Sequence, residues 1–151
     1  MGVGTLYGVN TTLIAAGGES QILQGMVDAR LKVMVDTYVT TGSSEDVGTT
    51  IAMGPTLPAG ARIIDVILAV SGSLGSNSTT LAVGDSDTAN RYIAATAISA
   101  DVVMHNSAKS GGVNYIIGTA TGDNQILITT AGAHNTTASV NIKVIVLYAM
   151  D

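Results

Sequence analysis

The chain of 151 residues contains no cysteine, no phenylalanine and no tryptophan. Without cysteine there is no disulfide framework and no thiolate metal site. Aromatic residues make up 3% of the sequence and all of them are tyrosine. Charge is scarce too, at 11% of residues against about 25% in ordinary soluble domains. Six Lys and Arg, spread along a chain of net charge −5, leave no basic footprint for nucleic acid. No apolar run approaches the roughly 18 residues of a membrane-spanning helix. The opening stretch MGVGTLYGVNTTLIAAGGES lacks the basic start and continuous apolar segment of a signal peptide. Neither nucleic acid nor a membrane is expected as a partner.

What is present is glycine, alanine, threonine, serine and valine. The length suits one domain, enough to bury about 68–70% of its unfolded surface without staples. A weakly charged surface costs little to desolvate. That favours burial against other subunits, because charge is depleted at interface cores.

Residues 1–30 differ from the rest. Apolar pairs, Leu6-Tyr7, Leu13-Ile14 and Ile22-Leu23, are separated by Gly and Thr without a helical or strand period. A helix over SQILQGMVDARLKVMVD is weakened by Gly25. This stretch reads as an extended arm, and its apolar pairs are unlike the polar, highly charged composition of disorder. From Leu31 onward, strand-like segments follow at regular spacing: LKVMVDTYV, GTTIAMG, ARIIDVILAV, STTLAVG, RYIAATAI, DVVMH, VNYIIGTA, QILITTA and ASVNIKVIVLYAM. Loops of Gly, Ser, Asn, Asp and Thr separate them. About eight short strands with no helix between them indicate an all-β, antiparallel sandwich or barrel over residues 31–151.

Alternation assigns faces. Val140, Ile142, Val144, Val146 and Tyr148 share one side of the last strand. In ARIIDVILAV, which follows the turn signal Leu57-Pro58-Ala59-Gly60, strict alternation puts Ile64, Val66, Leu68 and Val70 with Arg62. The opposite row of Ala61, Ile63, Asp65, Ile67 and Ala69 is also largely apolar. A sandwich strand needs only one buried face, so the second is expected to be covered by the arm or by a neighbouring subunit.

Catalytic and metal signatures are sparse. His105 and His134 stand far apart, outside any metal-ligand spacing, and read as loop or strand-end residues. No GxSxG elbow occurs. The Asp85, Asp87 and Asn90 cluster in GDSDTAN offers oxygens of the kind calcium takes, but not at EF-hand spacing, and such turns ordinarily cap their own backbone. The glycine-rich GTLYGVN and KSGGVNYIIG are not phosphate loops. Sequons at Asn10, Asn77 and Asn135 read as chance matches in a Thr- and Asn-rich chain. The tyrosines, Tyr7, Tyr38, Tyr92, Tyr115 and Tyr148, are too scattered to form a stacking platform by spacing alone. They read as core edges or interface anchors. No enzyme activity, cofactor or metal is expected.

The order YGVNTT, ARLKVMVDTY, GTTIAMGPTLPAGARIIDVILAV, STTLAVGDSDTANRYIAAT and NIKVIVLYAM resembles small decoration, or cement, proteins of tailed bacteriophage capsids. The likeness runs from Tyr7 to the end of the chain. Its most specific parts are the turn into ARIIDVILAV and the segment from LAVGDSD to RYIAA. The resemblance implies an eight-stranded jelly roll assembled as a homotrimer on the capsid exterior. It implies binding to the major capsid protein at threefold or quasi-threefold positions between capsomers. A terminal arm commonly reaches the capsid or a neighbouring protomer, which makes Leu6, Tyr7, Leu13, Ile14, Ile22 and Leu23 the expected partner-binding residues. Two alternatives are a carbohydrate- or calcium-binding sandwich module and a head-fibre or tail-associated virion protein.

Overall fold

A computed structural model of the chain describes residues 30–42, 45, 48–75, 79–106, 112, 114–119, 123–131 and 138–150. Apart from Arg30, the whole of the expected arm lies outside the described residues, including Leu6, Tyr7, Leu13, Ile14, Ile22 and Leu23. Among the described residues there are eight strands and no helix: β1 (Arg30–Val39), β2 (Thr50–Met53), β3 (Ala61–Ser71), β4 (Thr80–Gly84), β5 (Ile93–Ala97), β6 (Val102–His105), β7 (Ile126–Ala131) and β8 (Asn141–Met150).

The strands form two four-stranded antiparallel sheets. Sheet A has the order β1-β8-β3-β6 and sheet B the order β2-β7-β4-β5. The pairs β1–β8, β2–β7, β3–β6 and β4–β5 are concentric in sequence. A long hairpin has thus been rolled up, with successive strands exchanged between layers everywhere except at the tight β4–β5 return. This is the jelly-roll arrangement, so the expected all-β sandwich is observed in its double Greek-key form.

The core lies between the sheets. Ile63, Val66, Leu68, Ile142, Val144 and Val146 come from sheet A, and Met53, Leu81, Val83, Ile126 and Ile128 from sheet B; all are essentially fully buried. Tyr92, in the loop before β5, joins them with no exposed surface. The entry into β3 is fixed by backbone chemistry. Ala61 N–H donates to the Pro58 carbonyl, and Gly60 at φ +84° supplies the positive torsion that the third position of a type II turn requires.

Two sequence expectations need correction. Val140, Ile142, Val144 and Val146 of the last strand point inward as expected, with Tyr148 half-buried. In β3 the alternation breaks, because the pairing with β8 shifts between Ile63 and Asp65. Ala61 and Ile63 point inward before this bulge and Val66, Leu68 and Val70 after it, so Arg62 and Ile64 face out. One extra residue inverts the phase of everything upstream, and a strict two-residue period does not anticipate it. The second correction concerns VNYIIGTA, which forms no named strand. Its described part contributes one bridge, Ile116 to Arg62, beside the stretch of β3 that the short β6 leaves unpaired.

Candidate interaction face

The outer face of sheet A can be read row by row from the register. Leu31 stands beside Ala149, Arg62 and Ile116; Val33 beside Leu147 and Asp65; Val35 beside Ile145, Ile67 and His105; Thr37 beside Lys143, Ala69 and Val103. Ile64, in the bulge, adds to the second row. Every exposed large apolar side chain among the described residues belongs to this face: Leu31, Val33, Val35, Val39, Ile64, Val103 and Ile116. Val33 and Val35 are each 56% exposed and Leu31 61%. Covering what remains exposed of such a side chain is worth on the order of 1 kcal/mol.

Strand β1 carries the anomaly. Its outward row is Leu31, Val33, Val35, Thr37 and Val39, and its inward row is Lys32, Met34, Asp36 and Tyr38. The more hydrophobic side therefore faces out. β1 is also an edge strand of ten residues, and among the described residues no strand pairs along its other side. Its inward polar groups are used locally. Asp36 accepts a hydrogen bond from Gly54 N–H at 2.7 Å, and the Tyr38 hydroxyl donates to Glu45. That bond, together with burial, holds the Tyr38 phenol above its ordinary pKa. Glu45 is itself buried and accepts the Thr41 and Gly42 amides at 2.8 and 3.0 Å.

Polar groups on the face cluster at one end. A shallow depression of about 650 Å³ there is lined by Thr37, Ser71, Asp101, Asn141 and Lys143 among others. Within the apolar part, the Asp65 carboxylate lies 2.7 Å from His105 Nδ1 and accepts the Asn106 amide at 3.3 Å. Sequence reading had given His105 no role. Its partner is 40 residues away in sequence and faces outward in phase with Ile67, the residue that pairs with His105. His134 lies outside the described residues.

The GDSDTAN segment is an internal latch. Asp85 has a fully buried side chain and forms an ion pair with Arg91 Nε. It also accepts the Asp87 and Thr88 amides at 3.1 and 2.8 Å. This is the backbone-capping turn expected from its composition, closed by a cation of its own chain. Arg91 lies over the Tyr115 ring at 4.0 Å, and Tyr115 meets Tyr92 edge to face at 6.4 Å. The scattered tyrosines are thus partly united by the fold, which spacing did not reveal. Burial pushes the Tyr115 phenol up, as does its bond to Asp123 at 2.8 Å, and burial pushes Tyr92 up strongly. Asp123 is held below the usual carboxylate range by the Gly118 amide and by the Tyr115 hydroxyl. Among the described residues no three His, Asp or Glu side chains are grouped to hold a metal ion. The outer surface of sheet A, not a pocket with convergent polar groups, is therefore the feature that asks for a partner.

No protein-family model and no curated protein matches the sequence. Among the solved structures that share the fold are chains from two phage capsids. One is from the cyanophage Pam1 capsid asymmetric unit, at 22% identity and TM-score 0.60, covering 82% of this chain and 86% of that one. The other is from the capsid of Ralstonia phage GP4, at 19% identity and TM-score 0.62, covering 81% and 85%. At these identities the likeness is one of fold.

Proposed function

We propose that this chain is a structural protein of a tailed-phage virion. It decorates and cements the capsid exterior as a homotrimer, binding the major capsid protein at threefold or quasi-threefold positions between capsomers. The observation that carries this reading is the pairing of a jelly roll shared with chains from two phage capsid structures and a sheet face whose exposed residues are those of a core. A trimer touching several capsid subunits gains avidity from effective concentration, so each contact can be modest. Leu6, Tyr7, Leu13, Ile14, Ile22 and Leu23 are the arm residues proposed to reach the capsid.

The test is binding to capsids of the encoding phage that lack the protein, followed by electron microscopy. Density at inter-capsomer positions on the head exterior is the expected result. Density on a head fibre or the tail would support the alternative placement within the virion, and absence of binding would overturn both. Removing residues 1–24 is expected to leave a folded oligomer that no longer binds; full binding by the truncated chain contradicts the arm assignment. The calcium-module alternative draws no support from the GDSDTAN turn, because Asp85 already spends its carboxylate on Arg91 and two backbone amides.

A further inference from the structure

We propose that the outer face of sheet A is the contact between copies of this chain, seated head-to-tail against a different surface of the next copy. This deepens the virion-protein reading and rests on it only for the expected number of subunits.

Three observations select a second copy as the occupant. The first is composition. Leu31, Val33, Val35, Ile145, Leu147 and Ile64 form a patch with the character of a permanent interface, richer in apolar residues than surfaces that associate and part. A long, apolar edge strand left open from synthesis onward is a template for aggregation. The partner that covers it must be present at the same time and in equal amount, and a second copy always is.

The second is size. β1 and β8 each have ten residues, β3 has eleven and β6 four, so the face covers roughly 550 Å² per copy. Two such surfaces reach about 1,100 Å², above the roughly 1,000 Å² that a specific interface must clear. A single added strand, about 5 Å wide, covers only a quarter of the width of four strands.

The third is charge. The charged residues in the outward rows of sheet A are Arg62 and Lys143, near its two ends, and Asp65, which lies 2.7 Å from His105. The centre of the face is thus poor in charge, as the core of an interface is. A trimer is closed by heterologous contacts, in which this face meets a different surface of the next copy.

The experiment is light scattering on the full chain and on Val33→Glu, with Thr50→Glu on the outer side of sheet B as the control. Wild type and Thr50→Glu are expected at three times the 15.2 kDa chain mass, and Val33→Glu at the monomer mass with its fold retained by circular dichroism. A wild-type monomer overturns the proposal, a wild-type dimer overturns the head-to-tail arrangement, and a folded Val33→Glu trimer overturns the choice of face. If Val33→Glu does not fold, radical footprinting of the unmutated protein decides. Protection of Leu31, Val33 and Val35 is expected, and their oxidation at the rate of exposed valines overturns the proposal. A trimer that ignores capsids sinks the capsid reading and leaves this one standing; a monomer that binds capsids does the reverse.

Discussion

Inward, the two sheets use the same side chains: Val66, Leu68 and Val144 on one side meet Leu81, Val83 and Ile128 on the other. Outward they part company. Sheet B presents Thr50, Ala52, Thr80, Thr129, Ala94 and Ala97, small and weakly polar, with Leu127 alone among large apolar residues and half-buried. Sheet A presents Leu31, Val33, Val35, Ile64, Ile145 and Leu147. The same backbone architecture therefore carries one surface suited to water and one suited to a neighbour. In β1 the usual pattern is largely inverted, with Lys32 and Asp36 beside Met34 and Tyr38 on the core side and Leu31, Val33, Val35 and Val39 outside. A monomer gains nothing from that arrangement, since a half-buried strand normally turns its apolar row inward.

Substitutions can break the comparison at several depths. The largest effect is expected in the latch beside sheet B. Asp85→Asn leaves Arg91, only 15% exposed, without its counter-charge and should cost about 3–5 kcal/mol in denaturant unfolding. Calcium and EDTA should leave the melting temperature of the wild type unchanged. Next come the inner faces, where Leu68→Ala in sheet A and Ile128→Ala in sheet B should each cost about 2–5 kcal/mol. A large inequality between these two would show that the layers are not equivalent inside. Gly84→Ala, at the end of β4, should destabilise for a different reason. Its new Cβ would fall 2.1 Å from the Thr88 carbonyl oxygen and 2.5 Å from the Ala89 carbonyl carbon, backbone atoms of the loop folded over it.

Effects of pH follow from the buried and hydrogen-bonded phenols and from Asp123. Asp123 has a lowered folded-state pKa, so its contribution is present at neutral pH and is lost as pH falls through that lowered value. Tyr38, Tyr92 and Tyr115 have raised values, so their contribution is intact below their ordinary pKa of 10.0 and is lost at higher pH. Unfolding followed in urea from pH 7 to 11 should show a decline that starts near pH 10, and it should be shallower in Tyr92→Phe. The smallest effects are expected where a buried hydroxyl has no partner. Tyr92→Phe and Thr129→Val should be neutral or slightly stabilising at pH 7, because each removes an unpaired polar atom that is shielded from water.

Most of the fold could be read before the structure, because its signals are local. The strands stand where β-branched runs lie between Gly-, Asn- and Asp-rich turns, and the regular face of β8 follows from a two-residue period. The turn at Pro58–Ala61 was visible in Leu57-Pro58-Ala59-Gly60. What escaped depends on contacts distant in sequence. The β3 bulge exists because of how β8 pairs across it, so strict alternation sets Ile64 in one row with Val66, Leu68 and Val70, whereas those three are buried and Ile64 is exposed. VNYIIGTA has strand composition but no long partner. The Asp65–His105 pair and the Arg91, Tyr115 and Tyr92 stack join residues that no spacing rule connects. Excess apolar strand surface was legible as a quantity; its concentration on sheet A, with β1 largely inside out, required the register. The arm residues expected to bind a partner lie outside the described structure, so their role stays a proposal to be tested by truncation.

The chain's lack of cysteine gives a direct test of whether sheet A is covered, since a single introduced thiol reports without background. Val35→Cys on the outer face of sheet A and Ala52→Cys on the outer face of sheet B are to be compared by maleimide labelling of the native protein. Assembly through sheet A predicts slow labelling at position 35, rising to the rate of a free thiol on dilution below the dissociation constant or on unfolding, and fast labelling at position 52 throughout. Equal, fast labelling at both positions in the native protein would contradict it.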